Sequence, residues 1–295
     1  MSTIPKTINA YLQQLHAALQ GADPALIQDA LYDAEEHLRA ELAEHPDVDE
    51  AAMIARIVTS YGAPEEVADI YRVKEGQVQQ ALRIPRAPPR ASAFGKFFGV
   101  LADTRAYTAL FYMLLSLGTG IFYFVWTITG LSLSLGLMVL IIGIPFAILF
   151  FGSVRALALV EGRLVEVMLD VRMPRRPPYT ETGQPIRSRI KTFFTDPRSW
   201  STLIYMLLML PLGVLYFVLA IVSLSFVFML MFGPIIKAIT GYGIININDV
   251  AYAPPLWAEP FSLAAGILLL CAVLHMARSL GRVHGQLAKH MLVMR

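Results

Sequence analysis

From Ala106 to Val154 the chain runs for 49 residues without an Asp, Glu, Lys, Arg or His, and from Ser199 to Ile236 for 38 more. A helix that crosses a bilayer needs about 20 apolar residues. Inside hydrocarbon only helices and closed barrels satisfy their own backbone hydrogen bonds. Both blocks therefore read as membrane segments. The composition agrees, with 56% hydrophobic and 16% charged residues and a mean hydropathy of +0.56. The first 80 residues are polar and helix-like, so no cleavable signal peptide is expected ahead of the blocks.

The formal charge of +2 is a difference between two unlike parts. Residues 1–82 hold 14 acidic and 5 basic side chains, a balance of −9, and residues 83–295 hold 8 and 19, a balance of +11. This is an acidic head on a basic-flanked membrane body. An acidic head is a poor partner for nucleic acid. The one cysteine, Cys271, excludes an intrachain disulfide. Residues 153–199 carry nine Lys or Arg, whereas 237–262 carries only Lys237. The positive-inside rule then places both termini and the central linker in the cytoplasm of a multi-pass protein of the bacterial inner membrane.

Helical periodicity organises the head. Ile8, Leu12, Leu15 and Leu19 share one face; Asp23 and Pro24 open a second helix through Leu26, Ala30, Ala34, Leu38 and Leu42. A third is expected over Asp49–Tyr61, stopped by Gly62, and a fourth opens at Pro64 with Glu65 and Glu66. Over about residues 4–73, "YLQQLHAAL", "DAEEHLRAEL" and "YGAPEEVADIY" resemble the HAAS signalling domain, a short bacterial helical module. That resemblance implies an adaptor that meets a regulatory protein in the cytoplasm and brings no catalytic residues. Next, "RIPRAPPRASAFGK" (83–96) reads as a stiff, extended basic linker.

The body repeats itself. At an offset of 93, Asp103, Arg105, Tyr112, Met113, Gly120, Tyr123 and Phe124 match Asp196, Arg198, Tyr205, Met206, Gly213, Tyr216 and Phe217. At an offset of 123, Arg155, Leu157, Gly162, Leu164 and Met168 match Arg278, Leu280, Gly285, Leu287 and Met291. The difference, 123 − 93, is a 30-residue insertion between about Phe232 and Leu263. The chain divides into a head (1–82), a Pro/basic linker (83–102), repeat 1 (103–176), a cytoplasmic linker (177–195) and repeat 2 (196–295) with an extracytoplasmic insertion. Four spans are expected: 107–129 and 131–152 joined near Gly130, then 200–223 and 261–278. Leu224–Ile239 reads as an apolar piece interrupted at Gly233–Pro234, which the sequence leaves open as re-entrant, interfacial or part of a long span. Amphipathic interfacial helices, 153–171 and 277–291, trail each repeat. The fold class is all-α: a small helical bundle plus a polytopic four-helix membrane domain.

Over about 98–295, "DPRSWSTLIYMLLMLPLGVLYFV", "GLSLSLGLMVLIIGIPF" and "VEGRLVEVMLDVRMPRRPP" resemble the bacterial putative sensor domain, a duplicated membrane module found upstream of some histidine kinases. The resemblance implies sensing. The sequence ends seventeen residues after Arg278, so no kinase core is expected in it and the head takes the output position.

The chemistry of sites is thin. His37, Glu41 and His45 share a helix face, but a solvated acidic face explains them better than a metal; no metal and no cofactor are expected. The insertion offers Tyr242, Asn246, Asn248, Asp249, Tyr252, Trp257 and Glu259 as a polar-aromatic sensing site, against the plain reading of an interfacial aromatic belt. Opposite charge suggests that Glu35, Glu36, Glu41 and Glu44 dock on Arg172, Arg175 and Arg176, against the plain reading that those cations hold anionic headgroups of the bilayer. Ser116/Gly120 and Gly143/Ala147 let helices approach closely, within the body or in a homo-oligomer. No phosphate loop and no nucleophile–base arrangement marks an enzyme. The expected function is a non-enzymatic inner-membrane sensor relaying an envelope or membrane signal through the head to a protein partner. A small transporter or channel-like body with a regulatory head is the rival, disfavoured by the lack of charges at membrane depth.

Overall fold

The computed structural model describes residues 5–82, 92–140, 142–176, 196–240, 245–247, 250–252 and 256–293. Four helices build the head: α1 (Ile8–Ala18), α2 (Pro24–Glu44), α3 (Glu50–Ser60) and α4 (Pro64–Leu82). Local chemistry sets their ends. Thr7 caps α1 by accepting from the Ala10 amide, and Asp23 caps α2 through the Ala25 amide with Pro24 in the first turn. Gly62 takes a φ of 115° between α3 and α4, a conformation that costs other residues strain. One turn on, the Glu66 carboxylate accepts from the Ala63 amide, so "YGAPEE" is stop and start signal together. Tyr11, Leu15, Leu19, Ala30, Ala34, Leu38, Met53, Ile54 and Ile57 form the head's core. The Tyr11 hydroxyl donates to the Gly62 carbonyl at 2.9 Å, tying α1 to the α3–α4 corner.

After the head come a short helix, α5 (Ala93–Phe98), and one 3-10 turn (Gly99–Ala102). The extended linker expected over 83–96 is therefore helical from Ala93, because Val100 and its neighbours find apolar partners in Ala106, Cys271 and Leu274. Its first part, 83–91, lies outside the described residues.

The body comprises α6 (Thr104–Leu137), α7 (Gly143–Leu169), α8 (Pro197–Thr240) and α9 (Glu259–Leu292), all four long and apolar enough to cross a membrane. This is a multi-pass membrane protein, all-α apart from a hairpin of two three-residue strands, β1 (Ile245–Ile247) and β2 (Val250–Tyr252), paired antiparallel.

Three boundaries differ from the sequence expectation. The turn of repeat 1 falls after Leu137, not near Gly130. A side chain at Gly130 would collide with the Phe150 ring, so that glycine serves helix contact rather than a turn. Leu224–Ile239 is not a separate broken piece: α8 continues through Pro211 and Pro234 to Thr240. Proline leaves the carbonyl four residues back without its helical partner, and for Pro234 that carbonyl, Leu230 O, accepts from the Ser262 hydroxyl at 2.9 Å. Finally, the amphipathic stretches 153–171 and 277–291 do not form helices of their own but continue α7 and α9. Their apolar faces pack on the body's other helices, which removes more surface from water than a headgroup layer could.

Candidate functional site

The two repeats meet through exchanged contacts. Each first ties its own two helices together, the Thr108 hydroxyl donating to Met168 O at 2.8 Å within repeat 1 and the Ser201 hydroxyl to Met291 O at 2.9 Å within repeat 2. Arg278 pairs with Asp103 at 2.9 Å and Arg155 with Asp196 at 3.7 Å. A side chain added at Gly120 would strike the Met209 carbonyl, and one at Gly213 the Ser116 carbonyl. Each contact is the other's image under the offsets of 93 and 123, the pattern of an isologous, twofold-like interface.

At the centre of this arrangement lies a polar network. Along α6, Tyr112, Ser116, Gly120 and Tyr123 are buried on one stripe, and Tyr205 and Tyr216 hold the matching places on α8. The carboxyl of Glu161 (0% exposed) accepts from Tyr112 at 2.6 Å, Tyr205 at 3.1 Å and Tyr123 at 3.1 Å. His284 (1% exposed) places Nε2 2.7 Å from the Tyr112 hydroxyl and 3.1 Å from that of Tyr205, with Nδ1 3.3 Å from Tyr216. A tautomer with the proton on Nε2 lets Tyr216 donate to Nδ1 while Nε2–H faces the Tyr112 and Tyr205 oxygens. Glu161 and His284 are themselves repeat equivalents, since 161 + 123 = 284. One member of each tyrosine pair and one ionisable group thus come from each repeat.

Contrary to the expectation of a body without ionisable groups in its interior, Glu161 and His284 are buried among the four membrane-length helices. The segments carrying Glu161 and His284 continue into the body, and the tyrosines compensate them there. The signal was present in the repeat: Glu161 and His284 stand directly before the matched Gly162 and Gly285, polar in both copies though not identical. All side-chain polar atoms of the network have partners; among the described residues only Asp33 Oδ1 and Arg198 Nη1 are buried without a hydrogen bond. Chemically the network can hold or relay a proton, but it is saturated as it stands.

The second polar region is the seam between head and body. Past the end of α7, where Asp170 turns into the left-handed region, Arg172 reaches back to the head. It bonds Asp29 at 2.9 Å and Glu75 at 2.7 Å, with all three side chains 9–11% exposed. Asp29 also accepts from the backbone amides of Arg175 and Arg176, at 2.7 and 2.8 Å. Arg176 pairs with Asp33 at 3.0 Å, Lys289 with Asp23 at 2.5 Å, and Arg198 donates to Gln28 at 2.7 Å. Burial pushes the Asp29 carboxyl above the usual carboxylate range, and the two amides and Arg172 pull it back part of the way. Burial works against the charge on Arg172, yet the hydrogen bonds and charges of Glu75 and Asp29 outweigh it and leave the guanidinium above its ordinary value.

The acidic residues at this seam are not the expected ones. Glu35 pairs with Arg39 and Glu41 with Arg56, both inside the head; neither these two nor Glu36 and Glu44 provide the bonds to Arg172, Arg175 and Arg176. Of the head's carboxylates Asp29, Asp33 and Glu75 do, while Asp23 takes Lys289. Net charge pointed to the densest acidic run, whereas the seam uses another face of α2, where Gln28 and Asp29 are buried. Of the supposed metal face, His37 stacks on Tyr61 with ring centroids 4.5 Å apart and His45 lies against Glu41 and Arg56. In the insertion, Tyr242, Asn248 and Asp249 lie outside the described residues. Asn246 and Tyr252 are strand positions opposite Ala251 and Ile245. Trp257 is exposed, and Glu259 pairs with Lys237 at 3.3 Å.

Comparison with known families gives two matches: a family described as Putative sensor over residues 112–292, and HAAS over residues 10–69. No curated protein and no solved structure matches the chain.

Proposed function

The chain belongs to the Putative sensor family, and we propose that it is a non-enzymatic sensor whose membrane body holds the HAAS-like head by ion pairs and releases it when the body changes state. Its termini lie in the cytoplasm and its membrane is the bacterial inner membrane. The observation that carries this reading is Arg172, clamped between Asp29 and Glu75 of the head while its neighbours' amides close on Asp29. A contact made of a few half-buried charges, hung on the residues directly after α7, responds to any shift of that helix. The head freed in this way offers its surface to a cytoplasmic regulatory protein, as an adaptor module would.

Arg172→Glu in the full-length, membrane-embedded protein tests it. Cysteines introduced on the facing sides of α2 and the 172–176 segment should crosslink in the parent protein and lose at least three-quarters of that yield in the variant. Partner capture by a photo-crosslinker on the head should rise. Unchanged yields in both assays would end the proposal.

The rival, a transporter-like body, has one observation of its own in Glu161 and His284, since ionisable groups inside a membrane bundle often line proton paths. Proton flux through proteoliposomes decides between them: the sensor reading expects none above that of empty vesicles.

A further inference from the structure

Arg105 and Arg198 hold equivalent places at the starts of the two repeats, 105 + 93 = 198. Arg105 ends in an ion pair with Asp170 at 2.8 Å. Two residues beyond the matched Met168 and Met291, the equivalent of Asp170 is Val293, 170 + 123 = 293, and Val293 is buried and apolar. Arg198 therefore lacks the carboxylate its twin has. Its Nη2 bonds Gln28 and the Leu292 carbonyl, at 2.7 and 3.1 Å, while Nη1 is buried without a hydrogen-bond partner. Nearby Asp196 is already engaged by the Arg198 amide, the Ser199 hydroxyl and Arg155. A buried charged donor left bare, as Arg198 Nη1 is, is costly.

Beside them is a cavity of about 40 Å³ whose lining includes the polar groups of Arg155, Asp196, Arg198 and Thr202 and the apolar side chains of Phe151 and Val154. That is room for a few water-sized groups. We propose that this cavity is an anion site for a phosphate-class oxyanion, either free or carried as the headgroup of an anionic amphiphile. A guanidinium presents forked donors that suit phosphate oxygens. The Thr202 side chain is a buried polar group able to donate. The apolar wall gives an amphiphile's glycerol or first methylenes somewhere to lie. The site owes its charge to a broken symmetry: repeat 1 fills the equivalent place with Asp170, and repeat 2 leaves it to a ligand.

Gln28, which holds the other nitrogen of Arg198, belongs to the head, so occupancy also bears on the seam. That consequence rests on the docking reading above; the binding itself does not.

The test uses the full-length protein in neutral detergent, titrated separately with inorganic phosphate, dioctanoyl phosphatidic acid and dioctanoyl phosphatidylcholine. Thermal unfolding and native mass spectrometry are the readouts. Phosphatidic acid, inorganic phosphate or both should raise the unfolding midpoint and give a one-to-one adduct, with phosphatidylcholine at least tenfold weaker. Response to phosphatidic acid alone identifies a headgroup site; response to inorganic phosphate identifies a free-anion site. Arg198→Gln should weaken binding tenfold or more, and so should Val293→Asp, which supplies the carboxylate that Arg105 already has. If the parent protein responds to neither phosphate nor phosphatidic acid, the site is refuted without recourse to any variant. Unchanged affinity in a folded Arg198→Gln protein refutes it as well. Binding that persists with no effect on head crosslinking removes only the coupling to the head.

Discussion

The centre of the body and the seam below the head both gather polar groups, yet they solve opposite problems. At the centre, Glu161 and His284 are taken out of water and surrounded by four tyrosine hydroxyls, with no lysine or arginine in the set. At the seam, Arg172 meets two carboxylates of the head besides Glu166 of α7, and the pairs around it range from nearly buried to half exposed, Arg176 being 50% exposed at the side chain. Neutral hydroxyls packed on a symmetry centre resist rearrangement, because every donor already has its acceptor and no water can replace it. Charges near solvent can part, because water and salt take over their hydration. The comparison assigns rigidity to the centre and switching to the seam.

Glu161→Ala is the strongest challenge to that division. It leaves three tyrosine hydroxyls without their acceptor in a low-dielectric interior, each unsatisfied group costing about 1–3 kcal/mol, so the unfolding midpoint in detergent should report a loss of about 3 kcal/mol or more. Glu161→Gln, which keeps the shape and an acceptor, should lose clearly less. Equal and small losses would mean that the network does not hold the repeats together.

Arg172→Ala should cost about 3 kcal/mol, again because carboxylates lose their buried partner, but the loss should be local. Protease access to the head should increase while the midpoint of the body stays in place. A body that unfolds together with the head would erase the distinction between seam and centre.

Gly120→Ala and Gly213→Ala each force a methyl group against a backbone carbonyl of the other repeat. Overpacking of this kind costs about 1–3 kcal/mol, and the two variants should agree within about 0.5 kcal/mol if the contacts are truly equivalent. Very different midpoints would show that the symmetry is confined to the sequence. The smallest effect belongs to Glu41→Ala. Glu41 pairs with Arg56 inside the head and takes no part in the bonds that Arg172, Arg175 and Arg176 make there. Its removal should change stability by about 0–1 kcal/mol and leave head crosslinking alone.

The amino-acid sequence by itself determined the class of the molecule. Charge-free blocks of 49 and 38 residues permit little besides membrane helices, and capping chemistry at Thr7, Asp23, Gly62 and Glu66 places helix ends in the head. These are short-range or compositional signals, decided within one turn of helix or by transfer from water. The duplication was legible for the same reason, as identity at fixed offsets. The sites were not. Whether Glu161 faces headgroups or three tyrosines depends on where α8 and α9 lie, and amphipathic periodicity suits both environments. Whether Asp29 or Glu41 meets Arg172 depends on how α2 is rotated against the body, which net charge does not encode. Whether Pro234 ends a helix depended on a hydroxyl 28 positions away, Ser262, that takes the freed carbonyl of Leu230. In each case the deciding partner is remote in the chain, and only the packed tertiary structure brings it within hydrogen-bond reach.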